Sequence, residues 1–255
     1  MNKLDAVFKS GKKNLLNIYC TAGYPQLNST GEVILALQNN GVDMIEIGMP
    51  YSDPVADGPV IQESNMKALA NGMHLTLLFQ QLQALKPQVS VPVILMGYLN
   101  PVLQFGIEKF CACAENAGVS AVIIPDLPMF EFEHLYASIF KKHNIHFIFL
   151  VLPDTNKKRL KEADRLSNGF IYAVSSSSTT GQGMVVLDEN YFTFLSEAKL
   201  KNPVMIGFGI KDKDTFLSAC KYAHGAIIGS AYIKALQNST DIDLDTRNFI
   251  GTVLH

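Results

Sequence analysis

The sequence predicts an α/β fold, a (β/α)8 TIM barrel with a short extra N-terminal helix, formed by residues 1–255 as one domain. A short apolar run rich in β-branched residues recurs eight times, and each run is followed by a loop and a helical stretch. The runs are almost continuously apolar, which is typical of parallel strands buried on both faces. A length of 255 residues suits such a barrel. A doubly wound sheet is the alternative, but it usually carries fewer strands, and no Gly-x-Gly-x-x-Gly follows the first run.

Each element is placed by its own pattern. The first helix is expected at Asn2–Ser10, below the barrel. Helix-end glycines such as Gly41 and Gly118 mark where strands begin. The predicted strands are Leu15–Thr21, Val42–Gly48, Val91–Gly97, Val119–Pro125, His146–Leu152, Gly169–Ser175, Val204–Phe208 and Ala226–Gly229. The predicted helices are Thr30–Asn40, Val60–Ala70 with Thr76–Leu85, Ile107–Ala117, Glu131–Lys142, Lys157–Leu166, Glu189–Ala198, Asp214–Lys221 and Asp243–Val253.

Composition excludes several classes of function. The net charge of −2 gives no strong field to hold nucleic acid. Charged residues make up only 17% of the chain, which favours an unusually buried protein or one whose surface is partly covered by a partner. No apolar run has the length of a membrane span, and the start of the chain has no signal-peptide pattern. The four cysteines have no zinc-site spacing, so we expect reduced thiols and a cytoplasmic location.

The active site of such a barrel lies at the carboxyl ends of its strands, and two carboxylates are expected there. Glu46 interrupts the apolar second strand, where a carboxylate is costly unless it is paired or functional. It could instead cap the barrel interior or face an outer helix. Asp57 lies in the proline-rich loop Met49–Pro59 that follows, where it could instead cap the next helix.

The later loops carry signs of a phosphorylated substrate. Gly209 follows the seventh strand, and Gly229 and Ser230 follow the eighth, where barrels commonly bind phosphate at backbone N–H groups and a helix end. Tight packing at the rim is the alternative reason for these glycines. The polar loop 175–183 predicts a lid, with a plain flexible linker as its alternative.

The remaining chemistry is acid–base catalysis by carboxylates. No lysine ends a predicted strand, which disfavours a Schiff-base aldolase. No cluster of His, Asp or Glu at strand ends indicates a metal, and no cofactor motif is present.

The segment 46–59, EIGMPYSDPVADGP, resembles the signature of the tryptophan synthase α chain family. The resemblance extends over nearly the whole chain, and further matches are Thr21–Pro25, Met96–Pro101, Pro125–Pro128, Tyr172, Thr180–Gly181, Gly207–Gly209 and Gly229–Ser230. It implies cleavage of indole-3-glycerol phosphate to indole and glyceraldehyde 3-phosphate without a cofactor in this chain. It also implies a pyridoxal-phosphate β chain as partner in an αββα heterotetramer, with indole passing between the sites.

The same resemblance assigns residues. Glu46 and Asp57 match the family's catalytic carboxylates, and no metal is implied. The implied substrate contacts are Tyr19, Tyr172, Thr180, Gly181, Phe208, Gly209, Gly229 and Ser230. Two departures stand out. The lid has Ser176–Ser178 where many members have a basic or bulky residue and then a glycine, and Tyr19 replaces a common phenylalanine.

Three alternatives to a β-chain-coupled lyase stay open. A phosphosugar isomerase would share the late glycines but not the 46–59 loop. A non-catalytic regulatory barrel would lack Glu46 or Asp57, and both are present. A stand-alone indole-releasing lyase would share every motif, so only activity with and without a β chain separates it.

Overall fold

The strands form a closed parallel barrel. The computed structural model describes residues 2–175 and 189–255. Within them the strands are β1 Leu15–Thr21, β2 Met44–Gly48, β3 Val93–Met96, β4 Val119–Ile123, β5 His146–Phe147, β6 Leu150–Val151, β7 Ile171–Val174, β8 Val204–Gly207 and β9 Gly225–Ile228. All pair in parallel, in the order β5-β4-β3-β2-β1-β9-β8-β7-β6.

The two short strands β5 and β6 are pieces of one barrel strand that closes the sheet. On one side Ile148 N donates to Val122 O at 3.0 Å, and on the other Tyr172 N donates to Phe149 O at 3.1 Å. The segment 146–151 thus bridges β4 and β7, the two flanks that the pairing order leaves open. The eight predicted strands are confirmed, with the fifth divided and several ends shifted by one or two residues.

The helices surround the barrel in the predicted alternation. They are α1 Lys3–Lys9, α2 Ser29–Asn39, α3 Pro59–Ala70, α4 Leu75–Leu85, α5 Leu99–Phe105, α6 Ile107–Ala117, α7 Met129–Glu131, α8 Ala137–Lys142, α9 Lys157–Leu166, α10 Glu189–Glu197, α11 Lys213–Cys220, α12 Ser230–Leu236 and α13 Ile242–Leu254. Among the described helices, none is long and apolar enough to cross a membrane.

Two helical features differ from the expectation. The stretch predicted as the single helix Glu131–Lys142 contains a π-helical turn, Phe132–Tyr136, between α7 and α8. The Phe132 ring packs there against that of Phe147, with 4.2 Å between the ring centroids, and the wider π-helical turn accommodates the Phe132 ring. Helix α5 is absent from the predicted helices, and its sequence contains Pro101, a residue type that often ends a helix. This proline lies in the first turn of α5, where its missing N–H costs no hydrogen bond.

Helix α1 lies against the amino-terminal end of the barrel. Leu4 is fully buried, and Asn2 caps the helix while its Nδ2 donates to Ser120 O at 2.8 Å. Asp5 contacts Nε2 of His146 at 2.8 Å. These contacts close one end of the barrel, so a ligand enters from the opposite end, where the carboxyl ends of the strands lie.

Candidate active site

Glu46 points into the barrel, and its carboxyl is almost completely buried. The side chain is 1% exposed, and Oε2 accepts a hydrogen bond from Asn17 Nδ2 at 3.2 Å. Oε1 has no partner among the described residues. Burial raises the pKa of Glu46 to about 8; the Asn17 hydrogen bond opposes this rise, and the charge of Asp57 adds to it. The interior position excludes the alternative in which Glu46 faces an outer helix.

Asp57 lies at the mouth of the barrel in a loop held by several hydrogen bonds. Its side chain is 7% exposed, and Oδ2 accepts a hydrogen bond from Tyr98 Oη at 3.0 Å. Burial raises the pKa of Asp57 to about 6, while the Tyr98 hydrogen bond lowers it. The next helix, α3, begins after Gly58 without a side-chain cap. Asp57 therefore does not serve as the helix cap that its position before Gly58 allowed.

Tyr98 is a site residue to which the sequence analysis gave no role. Its hydroxyl accepts a hydrogen bond from Ala56 N at 3.0 Å while donating to Asp57, and its ring packs 5.4 Å from that of Tyr51. Gln62 Nε2 adds a bond to Asp57 O at 2.9 Å. These contacts hold the carboxylate over the barrel. The position of Tyr98, just beyond β3 and at the same rim as Asp57, is the signal by which it could have been found.

Two predicted aromatic residues line the interior beside Glu46. Tyr19 pairs in register with Glu46, and Tyr172 lies on β7, across the barrel from β2. A side chain at Gly48 would collide with the Tyr19 hydroxyl, and one at Gly207 would collide with that of Tyr172. The charges of Glu46 and Asp57 add to burial in raising the pKa of both tyrosines, which stay neutral. The four side chains therefore share one space.

The described members of the predicted phosphate site lie at the rim next to this space. Phe208 and Gly209 both have positive φ, 70° and 74°, so the chain turns sharply after β8. The Phe208 ring lies 6.3 Å from that of Tyr172. Gly229 precedes α12, which begins at Ser230, and a Cβ at Gly229 would lie 3.5 Å from Tyr19 Cβ. This end of the barrel thus leaves backbone groups open beside the tyrosines.

Two predicted site residues, Thr180 and Gly181, lie outside the described residues, as does the rest of the expected lid after Ser175. Ser175 itself is described. Its hydroxyl donates to Phe208 O, and its N–H donates to Gly207 O at 3.0 Å. The start of the predicted lid is therefore tied to the turn after β8. Within the described part of the chain, no group of three His, Cys, Asp or Glu side chains is placed to hold a metal.

Comparison with known proteins identifies the family. The family model described as "Tryptophan synthase alpha chain" matches residues 6–249. The tryptophan synthase alpha chain of Flavobacterium psychrophilum is 50% identical over 238 residues, which cover 92% of this chain and 94% of the relative. The chain belongs to the tryptophan synthase alpha chain family.

Solved structures agree with this membership. A tryptophan synthase from M. tuberculosis, in its aminoacrylate-bound form, superposes with a TM-score of 0.87 at 29% identity. The match covers 99% of this chain and 98% of the M. tuberculosis chain. A chain of the tryptophan synthase complex from Pyrococcus furiosus superposes with a TM-score of 0.85 at 33% identity, and the match covers 95% of this chain and 98% of that chain. The barrel class is thereby confirmed.

As a member of the tryptophan synthase alpha chain family, the protein is a carbon–carbon lyase of tryptophan biosynthesis. It catalyses the family's cleavage of indole-3-glycerol phosphate to indole and glyceraldehyde 3-phosphate. A phosphosugar isomerase and a non-catalytic barrel are excluded by this membership.

The burial of Glu46 predicts a pH-dependent cost to stability. The pKa of Glu46 in the folded protein lies above its ordinary value of 4.5, so folding favours the protonated form. The free energy of unfolding of the wild type therefore falls as the pH rises from 4.5 towards 8. Glu46→Gln carries no such charge. The unfolding free energy of Glu46→Gln minus that of the wild type should therefore increase by about 1.4 kcal/mol per pH unit between about pH 5 and pH 8.

Urea unfolding at several pH values measures this difference, with Glu63→Gln on the exposed face of α3 as control. A difference between Glu46→Gln and wild type that stays constant with pH would contradict the burial argument.

Proposed function

We propose that Glu46 transfers the proton in the cleavage of indole-3-glycerol phosphate and that Asp57 stabilises the charge which develops on the indole ring. The observation that carries this proposal is the unlike environment of two neighbouring carboxyls. The pKa of Glu46 is raised to about 8 and that of Asp57 to about 6. Near pH 7 one group is therefore protonated and the other ionised, which is the arrangement that divides acid and base roles.

The proton balance needs only one carboxyl. Protonated Glu46 gives its proton to indole C3, which places positive charge on the ring nitrogen as the indolenine forms. The resulting carboxylate then takes the proton of the side-chain hydroxyl next to the ring. As this hydroxyl becomes a carbonyl, the bond from C3 to the side chain breaks and its electron pair returns to the ring. The net change moves one proton from oxygen to C3, and Glu46 ends protonated.

Asp57 has a different role in this scheme. Its carboxylate accepts a hydrogen bond from the indole N–H and stabilises the positive charge of the indolenine. Tyr98 is a positioning residue, because its hydroxyl orients Asp57 and favours the ionised form. Tyr19 and Tyr172 supply aromatic surface for the indole ring.

We further propose that the substrate phosphate binds at the rim formed by Phe208, Gly209, Gly229 and Ser230, with Thr180 and Gly181 of the lid completing the site. Support comes from the position of this rim beside Tyr19 and Tyr172 and from the glycine backbone that it exposes. A phosphate held here anchors one end of the substrate, so that its binding energy aligns the reacting end with Glu46.

A β chain is the proposed partner, in an αββα heterotetramer, and it alone would carry pyridoxal phosphate. Three large apolar side chains support a docking surface at the active-site end of the barrel. Val55 is 80% exposed, Phe130 70% and Leu103 44%, and they follow β2, β4 and β3. Exposed apolar side chains in the segments that follow three barrel strands favour burial against another protein.

The first test removes the proposed proton donor. Glu46→Gln keeps the size of the side chain but transfers no proton, so indole formation should fall by ~10²–10⁴-fold. Asp57→Asn should also be severely slowed but still bind substrate, because the phosphate and ring contacts remain. In the double variant the losses should not add, since both groups act on one transition state.

Steady-state cleavage of indole-3-glycerol phosphate, with binding of intact substrate measured separately, checks both variants. Near-wild-type turnover of Glu46→Gln would remove this residue from proton transfer.

The second test places a methyl group where the phosphate is proposed to bind. A Cβ at Gly229 meets only ordinary contacts of 3.5 Å with Ile61 and Tyr19, so the fold should accept Gly229→Ala. The methyl group should instead intrude on the phosphate and raise KM more than it lowers kcat. Gly251→Ala on α13, with open space at its Cβ, is the control. An unchanged KM in Gly229→Ala would place the phosphate elsewhere.

The third test concerns the partner. Because a β chain that binds the closed state better shifts the α chain towards it, adding β chain should speed indole formation. Phe130→Ser should weaken this activation and leave the basal rate unchanged, whereas Leu217→Ser, at an exposed apolar residue on α11, should change neither the activation nor the basal rate. An isolated chain that turns over as fast as the mixture would instead be a stand-alone lyase.

A further inference from the structure

Asn17 is a polar side chain in the interior of β1, and the fold gives no other use for its amide. The residue is fully buried. Nδ2 donates to Glu46 Oε2 at 3.2 Å, and Oδ1 has no partner among the described residues. A buried amide with an unsatisfied oxygen destabilises a protein, whereas an apolar residue at the same place would not. The amide thus costs stability and serves only Glu46.

The strand register sets this contact. Asn17 lies opposite Met44, and Tyr19 lies opposite Glu46, so Asn17 and Glu46 are diagonal neighbours on the interior face of β1 and β2. The hydrogen bond engages Oε2 and leaves Oε1 without a protein partner. One carboxyl oxygen is therefore held, and the other is available to a ligand.

We propose that Asn17 is a positioning residue for the lyase reaction, which holds the Glu46 carboxyl by Oε2 so that Oε1 is presented to the substrate in both protonation states. This inference rests on the proton-transfer role proposed for Glu46. A side-chain amide suits it, because its NH₂ group can donate to Oε2 both when the carboxyl is ionised and when its proton is on Oε1, so that the proton stays on the oxygen that faces the substrate.

Four other titratable groups interact electrostatically with Glu46. They are Tyr19 and Cys20 of β1, Asp57 of the loop and Tyr172 of β7. The ionised Asp57 has no proton to donate, and no hydrogen bond joins Tyr19, Cys20 or Tyr172 to either Glu46 oxygen in the structure described. In the described part of the chain, Asn17 is the side chain that donates to Glu46.

The effect should fall on kcat. The Glu46 carboxylate forms only after its proton has gone to C3, so the Asn17 bond strengthens as the reaction proceeds. Loss of a hydrogen bond to a group that becomes charged in the transition state lowers a rate by about 10- to 100-fold. Asn17→Leu, which keeps the number of side-chain heavy atoms and the branching at Cγ, should lower kcat by that factor and leave KM nearly unchanged. Met44→Leu, opposite Asn17 in the register, controls for repacking of the interior.

A second readout follows the Glu46 carboxyl directly. The carbonyl band of the protonated acid, assigned in the infrared by its loss in Glu46→Gln, can be titrated in the ligand-free protein. In Asn17→Leu the midpoint should move to higher pH, because the ionised form loses its donor. Asn17→Asp, which has almost the volume of Asn, should move it in the same direction through charge repulsion and keeps the test available if Asn17→Leu does not fold.

A raised midpoint together with a fall in kcat, neither seen in Met44→Leu, is the expected result. An unmoved midpoint, or wild-type kcat with a moved midpoint, would overturn the positioning role. Full activity of Glu46→Gln would instead overturn the proposed function, and the infrared titration would still report on the Asn17–Glu46 contact.

Discussion

The burial of one carboxyl, that of Glu46, is the constraint on which the site depends. Its strand is enclosed by β1 and β3, and its side chain is 1% exposed. An ionised carboxylate in such a place is strongly disfavoured, so the group holds its proton near neutral pH. The same enclosure keeps Tyr19 and Tyr172 neutral. The raised pKa of the proposed proton donor thus follows from the position of an ordinary glutamate inside the barrel.

Asp57 shows how a small change in environment gives a second carboxyl a different pKa. It is only slightly more exposed than Glu46, but it lies in a loop at the rim rather than inside a strand. The donor beside it is a tyrosine hydroxyl at 3.0 Å, shorter than the 3.2 Å amide contact of Glu46. The position of Glu46 in a strand and that of Asp57 in a loop therefore give the two carboxyls different pKa values.

Most of the fold could be predicted from the sequence. Of the four polar residues of the candidate site, Glu46 and Asp57 are predicted, whereas Asn17 and Tyr98 are not. Apolar runs located the barrel strands, because strands buried on both faces leave a clear pattern. The division of the fifth strand and the π-helical turn at Phe132–Tyr136 occur where aromatic rings pack against one another, a tertiary contact that periodicity does not record. Glu46 was found as a charge in an apolar strand. Asn17 carries the same signal, but its meaning lies in a partner 29 residues away.

The unsatisfied polar atoms indicate where the molecule gives up stability. Among the described residues, four buried side-chain atoms lack partners, and two of them, Asn17 Oδ1 and Glu46 Oε1, belong to one hydrogen-bonded pair. A core selected for stability alone would have apolar residues at both positions. Since the hydrogen bond between them leaves one atom of each residue unused, the pair is incomplete without a third participant. A substrate whose hydroxyl proton and ring carbon both reach Oε1 in turn is a participant of that kind.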